Sequence, residues 1–483
     1  MTIQSTEGHP LNCLCINGLR DHNQCMFEYV STFISFHVAA IATGLLVYFA
    51  TTHFGRQRRQ PAAAVAWVLG LITFPYIALP LFLFVGTRKL PRLSPTSSSF
   101  APPSSAEALS PRWASQLSAS SSLPSAHGNS RFEMLADGEE ALNALLALID
   151  QSARTVDFCT YLFADDEVGR RVAAALAAAQ ERGVRVRLLL DMVGSLRMSR
   201  DLRAFLAESR IEFRWFVPFV HNPLRGRTNL RNHRKLVVVD GARIWSGGRN
   251  IAAEYFISSA KGAPWSDISF AIEGAIAEDA QEIFDRNWPT NSRQAMDHER
   301  ISSTSKICSQ LVPSGPDFPD DTIYNFLITA IHQAQGSIIA VTPYFVPNDA
   351  LLEALIIACK RGVSVTLIIP RKSNHRLADI ARERSLRELS AAQANIMLLP
   401  RMNHAKVVVV DDVVACCGSA NLDGRSLFLN YELITAFYGV EEITQFRRWA
   451  DKLTTDAKPY RLRAPGWFQD LLEGFVRAVS FQL

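Results

Sequence analysis

The sequence predicts an α/β fold made of two halves related by a pseudo-twofold axis, preceded by an N-terminal two-helix transmembrane hairpin. A motif of His-x-Lys, four apolar residues and Asp occurs twice, at 233–240 and 404–411. Strand and helix patterns recur in the same order around both copies, and two long uncharged runs precede them. A repeat of whole supersecondary units indicates duplicated structure, and uncharged runs of about 20 residues indicate membrane helices.

Length and composition set the outer limits of this prediction. The 483 residues suffice for two or three domains, and 48% apolar residues provide ample material for a core. The 50 basic and 46 acidic residues give a formal charge of +4, which is too small to indicate nucleic-acid binding by itself.

The eight cysteines are thinly spread and do not form a disulfide framework. Five lie in apolar surroundings and are expected to be buried thiols: Cys159, Cys308, Cys359, Cys416 and Cys417. The role of Cys13, Cys15 and Cys25, which lie near the N-terminus, stays open between a metal clip, a lipidated cysteine and no special role.

The first 92 residues predict a polar tail, 1–29, and a membrane hairpin, 30–92. The runs 30–54 and 62–86 contain no Asp, Glu, Lys or Arg, so both are expected to enter the bilayer. Pro75 and Pro80 cost helical hydrogen bonds, so the second run is expected to be kinked or partly re-entrant. Lys and Arg prefer the cytoplasmic side of a membrane. Three basic residues lie in the turn of the predicted hairpin and four lie at its open end, so this preference does not decide the orientation.

Residues 93–130 are rich in Ser, Pro and Ala and hold few large apolar residues. Such a composition predicts a flexible tether, because it offers too little apolar surface to form a core. The tether would let the downstream region move while keeping it near the bilayer surface.

The remaining chain divides into a first half, 131–295, and a second half, 296–483. The first half predicts a strand at 155–161, a helix at 168–182 and a strand at 184–191. The second half repeats this order at 337–344, 351–361 and 363–369. Gly183 and Gly362 mark the same helix-to-strand turn, where a left-handed cap is needed.

The C-terminal segment 467–479 carries apolar side chains at helical spacing and charged residues on the other side. Docking of this helix onto the core is preferred, with binding to a membrane surface as the alternative.

The repeated motif places His and Lys side by side. The apolar residues that follow are almost all β-branched, which predicts that each motif opens a buried strand. Residues i and i+2 of a strand share a face, so His233 and Lys235 project together, as do His404 and Lys406. The Asp at i+7 has the opposite parity, and we expect it to orient or cap structure and not to take part in the chemistry.

Two imidazoles and two ammonium groups around one pocket suit a phosphodiester. Asn250 and Asn421, at matching positions downstream of the motifs, would add amide donors. Lysines and amides can neutralise the non-bridging oxygens and favour the charge of a pentacovalent transition state. One neutral His can attack phosphorus while the other, protonated, protonates the leaving alkoxide.

Nearby carboxylates must bias the two histidines toward these different roles. The candidates are Glu432, 28 residues after His404, and Asp267, 34 residues after His233. The candidate catalytic set is the whole repeated motif, within which the two aspartates are expected to support the structure: His233, Lys235, Asp240, His404, Lys406 and Asp411. The candidate substrate-binding or orienting residues are Asn250, Asn421, Asp267 and Glu432.

With these residues the sequence resembles the phospholipase D superfamily and, within it, bacterial cardiolipin synthases. The resemblance covers nearly the whole chain outside the tail and the tether. Its other parts are Tyr161 through Asp166 with Gly169, Asp191 through Ser195, Trp265 through Asp267, Thr342 through Pro347, Gly418 through Ser426, and Leu429 through Glu432. Asn348 departs from the family pattern, which has Asp there, and the adjacent Asp349 is the candidate substitute. The departure concerns acceptor or lipid contacts more than the reaction.

The resemblance implies two phospholipase D-type halves in a multi-pass protein of the bacterial inner membrane. It implies a phosphatidyltransferase that joins two phosphatidylglycerols into cardiolipin and glycerol, with a phosphatidyl-histidine intermediate on His233. His404 would act as acid and then as base, and Glu432 and Asp267 would buttress the histidines. Neither a metal nor a nucleotide cofactor is expected, and phospholipids in a membrane are the expected partners.

Two alternatives stay open at this point. A hydrolytic phospholipase D would resolve the intermediate with water and release phosphatidic acid, and a catalytically silent protein would only bind lipid. The second phospholipid donor, the leaflet faced by the catalytic region and the oligomeric state are not fixed by the sequence.

Overall fold

The structure, a computed structural model, forms two compact units, Met1–Gly86 and Thr87–Leu483, which are described separately. It describes residues 20–54, 61–86, 109–216, 229–258, 262–288, 307–318, 320–462 and 464–479. Cys13 and Cys15, most of the predicted tail and the boundary between the predicted halves lie outside these ranges.

The first unit contains three helices, α1 (Arg20–Phe54), α2 (Pro61–Thr73) and α3 (Pro75–Val85). Within α1, Met26–Thr52 is long and apolar enough to cross a membrane. Helix α1 starts ten residues before the predicted boundary at residue 30, so residues 20–29 of the predicted tail are helical.

The second apolar run is split into two short helices. Pro75 has no amide hydrogen, and the chain leaves helical geometry at Phe74 before α3 begins. Helices α2 and α3 have 13 and 11 residues, each short of the roughly 20 that span a bilayer. The kink was predicted, but α1 is the sole candidate span among the described residues, so the structure does not support a two-helix hairpin or a multi-pass chain.

The second unit is an α/β structure whose elements alternate along the chain. Its first part contains α4 (Arg112–Ser121), β1 (His127–Leu135), α5 (Gly138–Asp150), β2 (Thr155–Thr160), α6 (Glu167–Glu181), β3 (Arg185–Asp191), α7 (Arg200–Glu208), β4 (Glu212–Phe216), β5 (Leu236–Val239), β6 (Arg243–Gly247), β7 (Ser269–Gly274) and α8 (Ile276–Asn287).

The second part follows the same plan. It contains β8 (Ile307–Ser314), α9 (Thr322–Gln333), β9 (Ser337–Val341), β10 (Phe345–Val346), α10 (Asp349–Lys360), β11 (Ser364–Pro370), α11 (Arg376–Ala391), β12 (Asn395–Leu399), β13 (Val407–Val410), β14 (Val414–Gly418), β15 (Leu422–Asp423), α12 (Gly424–Phe428), β16 (Glu432–Phe437), α13 (Val440–Thr454), β17 (Lys458–Pro459) and α14 (Trp467–Val479).

Fifteen strands form one mixed sheet in the order β17-β12-β11-β9-β13-β14-β16-β8-β1-β7-β6-β5-β2-β3-β4. Strands β1 and β8 pair antiparallel at the centre, and the order outward from them is equivalent on both sides. The parallel set β2-β3-β4 on one side matches β9-β11-β12 on the other. The predicted internal repeat is therefore confirmed, and it extends over the sheet apart from the edge strand β17, which has no counterpart.

The hydrophobic core crosses the centre of the sheet. The ring of Phe437 in β16 lies 5.0 Å from that of Phe132 in β1 and 5.2 Å from that of Phe270 in β7. At the predicted helix-to-strand turns, Gly183 and Gly362 have φ of 89° and 88°, the left-handed conformation that glycine adopts without strain. Four of the five cysteines expected to be buried are buried, and Cys359 is partly buried.

The predicted tether is wrong for residues 109–130. Helix α4 lies within this segment, and Trp113 packs on Phe326 of α9 with ring centroids 5.0 Å apart. Gln310 in β8 donates a hydrogen bond to Ser118 of α4, and β1 starts at His127. The segment folds because Ala114 and small serines let α4 approach the core closely, a form of packing that needs few large apolar residues.

Candidate active site

Strands β5 and β13 begin directly after the two His-x-Lys sequences and are fully buried, as predicted. The segment ahead of each strand pairs with the other half of the unit. The amide of His233 donates to the carbonyl of Tyr431 at 2.8 Å, and that of His404 donates to Ser266 at 2.7 Å. Each histidine therefore lies next to a segment that carries an acidic residue of the opposite half.

Glu432, which opens β16, holds the first histidine. Its Oε2 lies 3.1 Å from Nδ1 of His233, and the carbonyl oxygen of Ser419 lies 3.2 Å from the same nitrogen. Both partners accept hydrogen bonds, so Nδ1 carries the proton and the lone pair of the neutral ring is on Nε2. The Ser419 hydroxyl donates to Glu432 as well and fixes its orientation.

Asp267 holds the second histidine in the same manner. Its Oδ2 lies 2.8 Å from Nδ1 of His404, and its side chain is fully buried. The pairing is crosswise, since Asp267 belongs to the first half and Glu432 to the second. The sequence identified both acids but did not reveal this exchange of partners.

The two lysines fold back onto the motifs from which they come. Nζ of Lys235 donates to the carbonyl of His233 at 2.7 Å, and Nζ of Lys406 lies 3.0 Å from Nε2 of His404. Burial lowers the pKa of Lys235 to about 8 and that of Lys406 to about 7, against the opposing effect of Glu432 and Asp267. These residues influence one another electrostatically, so the motifs of both halves form one charged cluster.

Burial also lowers the pKa of each imidazole. For His233 the negative charge of Glu432 opposes the effect of burial, whereas for His404 the positive charge of Lys406 adds to it. Both rings are therefore neutral near pH 7 in the empty site. A bound anion would favour protonated imidazole and ammonium groups and would raise all four pKa values.

The two predicted asparagines are buried next to the site, but their amide groups have protein partners. Nδ2 of Asn250 donates to the hydroxyl of Tyr255 at 2.8 Å. Burial raises the pKa of Asp423 to about 6, and a hydrogen bond with Asn421 partly opposes this effect. The Oδ1 atoms of both asparagines are buried and lack a hydrogen-bond partner.

The two motif aspartates lie at the far ends of β5 and β13, away from the histidines. Asp240 accepts hydrogen bonds from the amides of Ala153, Arg154 and Thr155. Asp411 accepts equivalent bonds from residues 335–337. Both have positive φ, 55° and 47°, and lie in the turn after their strand, so they cap structure as expected. The motif His, Lys and Asp all lie outside the strands, so strand parity is not the reason for this position.

Two residues of the site were not predicted individually. Tyr255 packs edge-on against His404 with ring centroids 5.0 Å apart, and Ser419 contacts both His233 and Glu432. The equivalent of Ser419 in the first half is Gly248, where a Cβ would lie 2.1 Å from Oδ1 of Asp267. A serine fits beside Glu432 but not beside Asp267. This difference between the repeats is the sequence signal that could have identified Ser419.

Comparison with known families and proteins shows which family this chain belongs to. The model of a family described as "Cardiolipin synthase, PLD-like domain" matches residues 145–288 and 327–454. Cardiolipin synthase A of Pseudomonas entomophila (strain L48) is 31% identical over 435 residues, which cover 85% of this chain and 88% of that protein. Cardiolipin synthase 1 of Bacillus anthracis is 32% identical over 365 residues, 72% of each chain.

Among solved structures, the phosphatidylserine synthase of Haemophilus influenzae Rd KW20 has a similar fold. The TM-score is 0.59 at 16% sequence identity, and the match covers 74% of this chain and 97% of that one. At this identity the similarity concerns the fold alone.

Proposed function

Because this chain belongs to the cardiolipin synthase family of phospholipase D-like proteins, we propose that it joins two phosphatidylglycerols into cardiolipin and releases glycerol. Family membership and fold support the broader activity, the transfer of phosphatidyl groups between phospholipids. The observation that carries the specific proposal is the crosswise pairing of His233 with Glu432 and of His404 with Asp267. It provides two oriented imidazoles in one charged cluster.

In the first step, Nε2 of His233 attacks the phosphorus of one phosphatidylglycerol. A phosphorus–nitrogen bond forms, the phosphorus–oxygen bond to glycerol breaks, and the glycerol oxygen takes a proton from His404. Lys235 and Lys406 balance the negative charge that builds up on the non-bridging oxygens. The phosphatidyl group is then attached to His233.

In the second step, the neutral His404 removes a proton from a glycerol hydroxyl of the second phosphatidylglycerol. This oxygen attacks the phosphorus, the bond to His233 breaks, and cardiolipin leaves. One phosphodiester replaces another, so the reaction consumes no external energy source.

Two differences between the histidines support His233 as the nucleophile. The side chain of His233 is 13% exposed and that of His404 only 5%. Nζ of Lys235 donates to the carbonyl of His233, whereas Nζ of Lys406 lies 3.0 Å from both ring nitrogens of His404 and places a positive charge against that ring. The same lysine, whose pKa is near 7, is placed to supply the proton that His404 transfers to glycerol.

The apolar segment of α1 supports a location in the bacterial cell membrane, where the phospholipid substrates are found. A single anchor of this kind is sufficient for the proposal.

The proposal is tested with the full-length protein in vesicles that contain labelled phosphatidylglycerol. We expect labelled cardiolipin and free glycerol, with no requirement for a nucleotide. Phosphatidic acid as the sole product would contradict the proposal and favour hydrolysis. His233→Ala and His404→Ala should each lower turnover by more than about 100-fold without loss of folding, because both roles are needed. His332→Ala, on the exposed end of α9, is the matched control.

A further inference from the structure

Helix α14 contacts the rest of the second unit through a polar side chain, and four of its described apolar side chains, Trp467, Phe468, Leu471 and Leu472, are exposed. Glu473 is 3% exposed and accepts a hydrogen bond of 2.6 Å from Arg387 of α11. Trp467, Phe468 and Leu471 are 81%, 64% and 64% exposed. An amphipathic helix normally turns its apolar side to the core, so the opposite arrangement marks this side as an interaction surface.

The helix lies next to the active site. Val476 of α14 is buried in a cluster with Val346 of β10 and with Ala378 and Ala381 of α11. Val346 pairs with Asp423 in the two-stranded sheet of β10 and β15. Asp423 hydrogen-bonds to Asn421, so this series of contacts connects α14 to one of the predicted site residues.

A basic segment, residues 371–376, consists of the loop after β11 and the first residue of α11, and is called the basic loop below. It precedes Ala378, which contacts α14. Its side chains Arg371, Lys372 and Arg376 are exposed. The loop is linked to the site through Tyr344, whose hydroxyl donates to Oδ1 of Asn374 at 2.6 Å and which influences Tyr255 of the site electrostatically. Exposed cations next to an apolar helix face are the combination that binds anionic membranes, in which aromatic and leucine side chains enter the interface.

We infer that the apolar face of α14 and the basic loop form a docking surface for an anionic phospholipid bilayer. The inference rests on the proposed function and deepens it, because docking would bring the pocket to the depth of the lipid headgroups. A second copy of the chain fits less well, since a symmetric contact would bring the two basic loops together. Anionic headgroups would instead neutralise them.

Photo-cross-linking tests the docking independently of catalysis. The photoreactive amino acid p-benzoylphenylalanine replaces Trp467 in the full-length protein, in vesicles of phosphatidylglycerol and phosphatidylcholine. We expect mass spectrometry to find lipid attached at this position, and none when the probe replaces the exposed Val440 of α13. Cross-links to a second copy or to another part of the same chain, or no lipid adduct at position 467, would overturn the inference.

A kinetic comparison gives the functional counterpart. The double variant W467S/L471S should lose at least about tenfold in activity on vesicles, because two apolar side chains no longer enter the interface. It should stay within about twofold of the unmodified protein on short-chain phosphatidylglycerol dissolved as monomers, since the site is intact.

The control V413S/V440S removes two exposed apolar side chains far from α14 and should leave both activities unchanged. An equal loss on vesicles and monomers would contradict the docking. If the unmodified protein made no cardiolipin from either form of lipid, the proposed function would fail, and the cross-linking result would still decide the docking.

Discussion

At the scale of single residues, the crosswise pairs define the site. His233 and Glu432 are 199 positions apart in sequence, and His404 and Asp267 are 137 apart, yet each pair is in direct contact. Buried carboxylates of this kind keep an imidazole in one tautomer and one orientation. The two acids therefore act as positioning residues for the histidines.

The pairing predicts an energetic coupling that follows the contacts. In double-mutant cycles with His→Ala and Glu432→Gln, we expect a coupling of about 0.5–3 kcal/mol between His233 and Glu432, because the two residues touch. The matched cycle of His404 with Glu432 should give a clearly smaller value. The free energies come from unfolding curves of the detergent-solubilised protein. Equal coupling in both cycles would contradict the crosswise pairing.

A second prediction concerns Asp240. Burial alone would raise its pKa, but the amides of Thr155, Ala153 and Arg154 outweigh this effect and lower the pKa. The bonds to the carboxylate thus stabilise the fold above about pH 4, the pKa of an unfolded Asp, and this contribution is lost as the pH falls through the lower folded-state value.

We therefore expect Asp240→Asn to lower the free energy of unfolding by about 1–3 kcal/mol at pH 7, and the deficit to shrink toward pH 3. Asn tolerates the positive φ at this position, so the change tests the carboxylate and not the turn. Melting curves across this pH range provide the measurement. A catalytic defect with unchanged melting would show that Asp240 takes part in the chemistry.

The residue scale also shows what could be predicted from the sequence. The repeated spacing pointed to the histidines and lysines, because these positions recur at a constant offset, and the resemblance to family motifs pointed to the two acids. The partner of each histidine could not be predicted, since it depends on how segments of opposite halves lie beside one another. Tyr255 escaped attention for the same reason: its contact with His404 joins residues from different halves.

At the scale of elements, strands and helices with regular apolar spacing were predicted to within a few residues, as β2, α6, β9 and α10 illustrate. Helix α4 was missed because its buried side chains are Ala114, Ser118 and Ser121, which give no apolar periodicity. The Ser-rich composition predicted a tether, but this segment forms a closely packed helix.

Helix α4 provides a prediction at this scale. Replacing Trp113 with Ala should lower the free energy of unfolding by about 2 kcal/mol, since its ring packs on Phe326 of α9. Gln116→Ala, on the exposed side of the same helix, should have little effect. Denaturant titration compares the two variants. If Trp113→Ala were as stable as Gln116→Ala, α4 would contribute nothing to the fold.

At the scale of the whole molecule, a single sheet and a core shared by both halves bring the two motifs together within one chain. Arg234 strengthens this union, because its buried guanidinium pairs with Asp317 and the carbonyl of Ser314 in the second half. The site therefore needs no second copy.

Mixing experiments test this conclusion. His233→Ala and His404→Ala chains combined in one vesicle population should show no more activity than the two measured apart, because each molecule lacks one of its own histidines. Activity is measured as cardiolipin formed, with unmodified protein diluted into the same vesicles as the positive control. Recovery of a substantial fraction of that activity would indicate a site shared between copies.

The shared sheet also determines how the enzyme responds to dilution. A site assembled from two separate half-sized proteins would dissociate at low abundance, whereas joined halves hold their groups at a high effective concentration that does not depend on the number of molecules present. Turnover per molecule should then stay constant as the protein becomes scarce in the membrane. A cell could keep such an enzyme at very few copies and still obtain the full activity of each one.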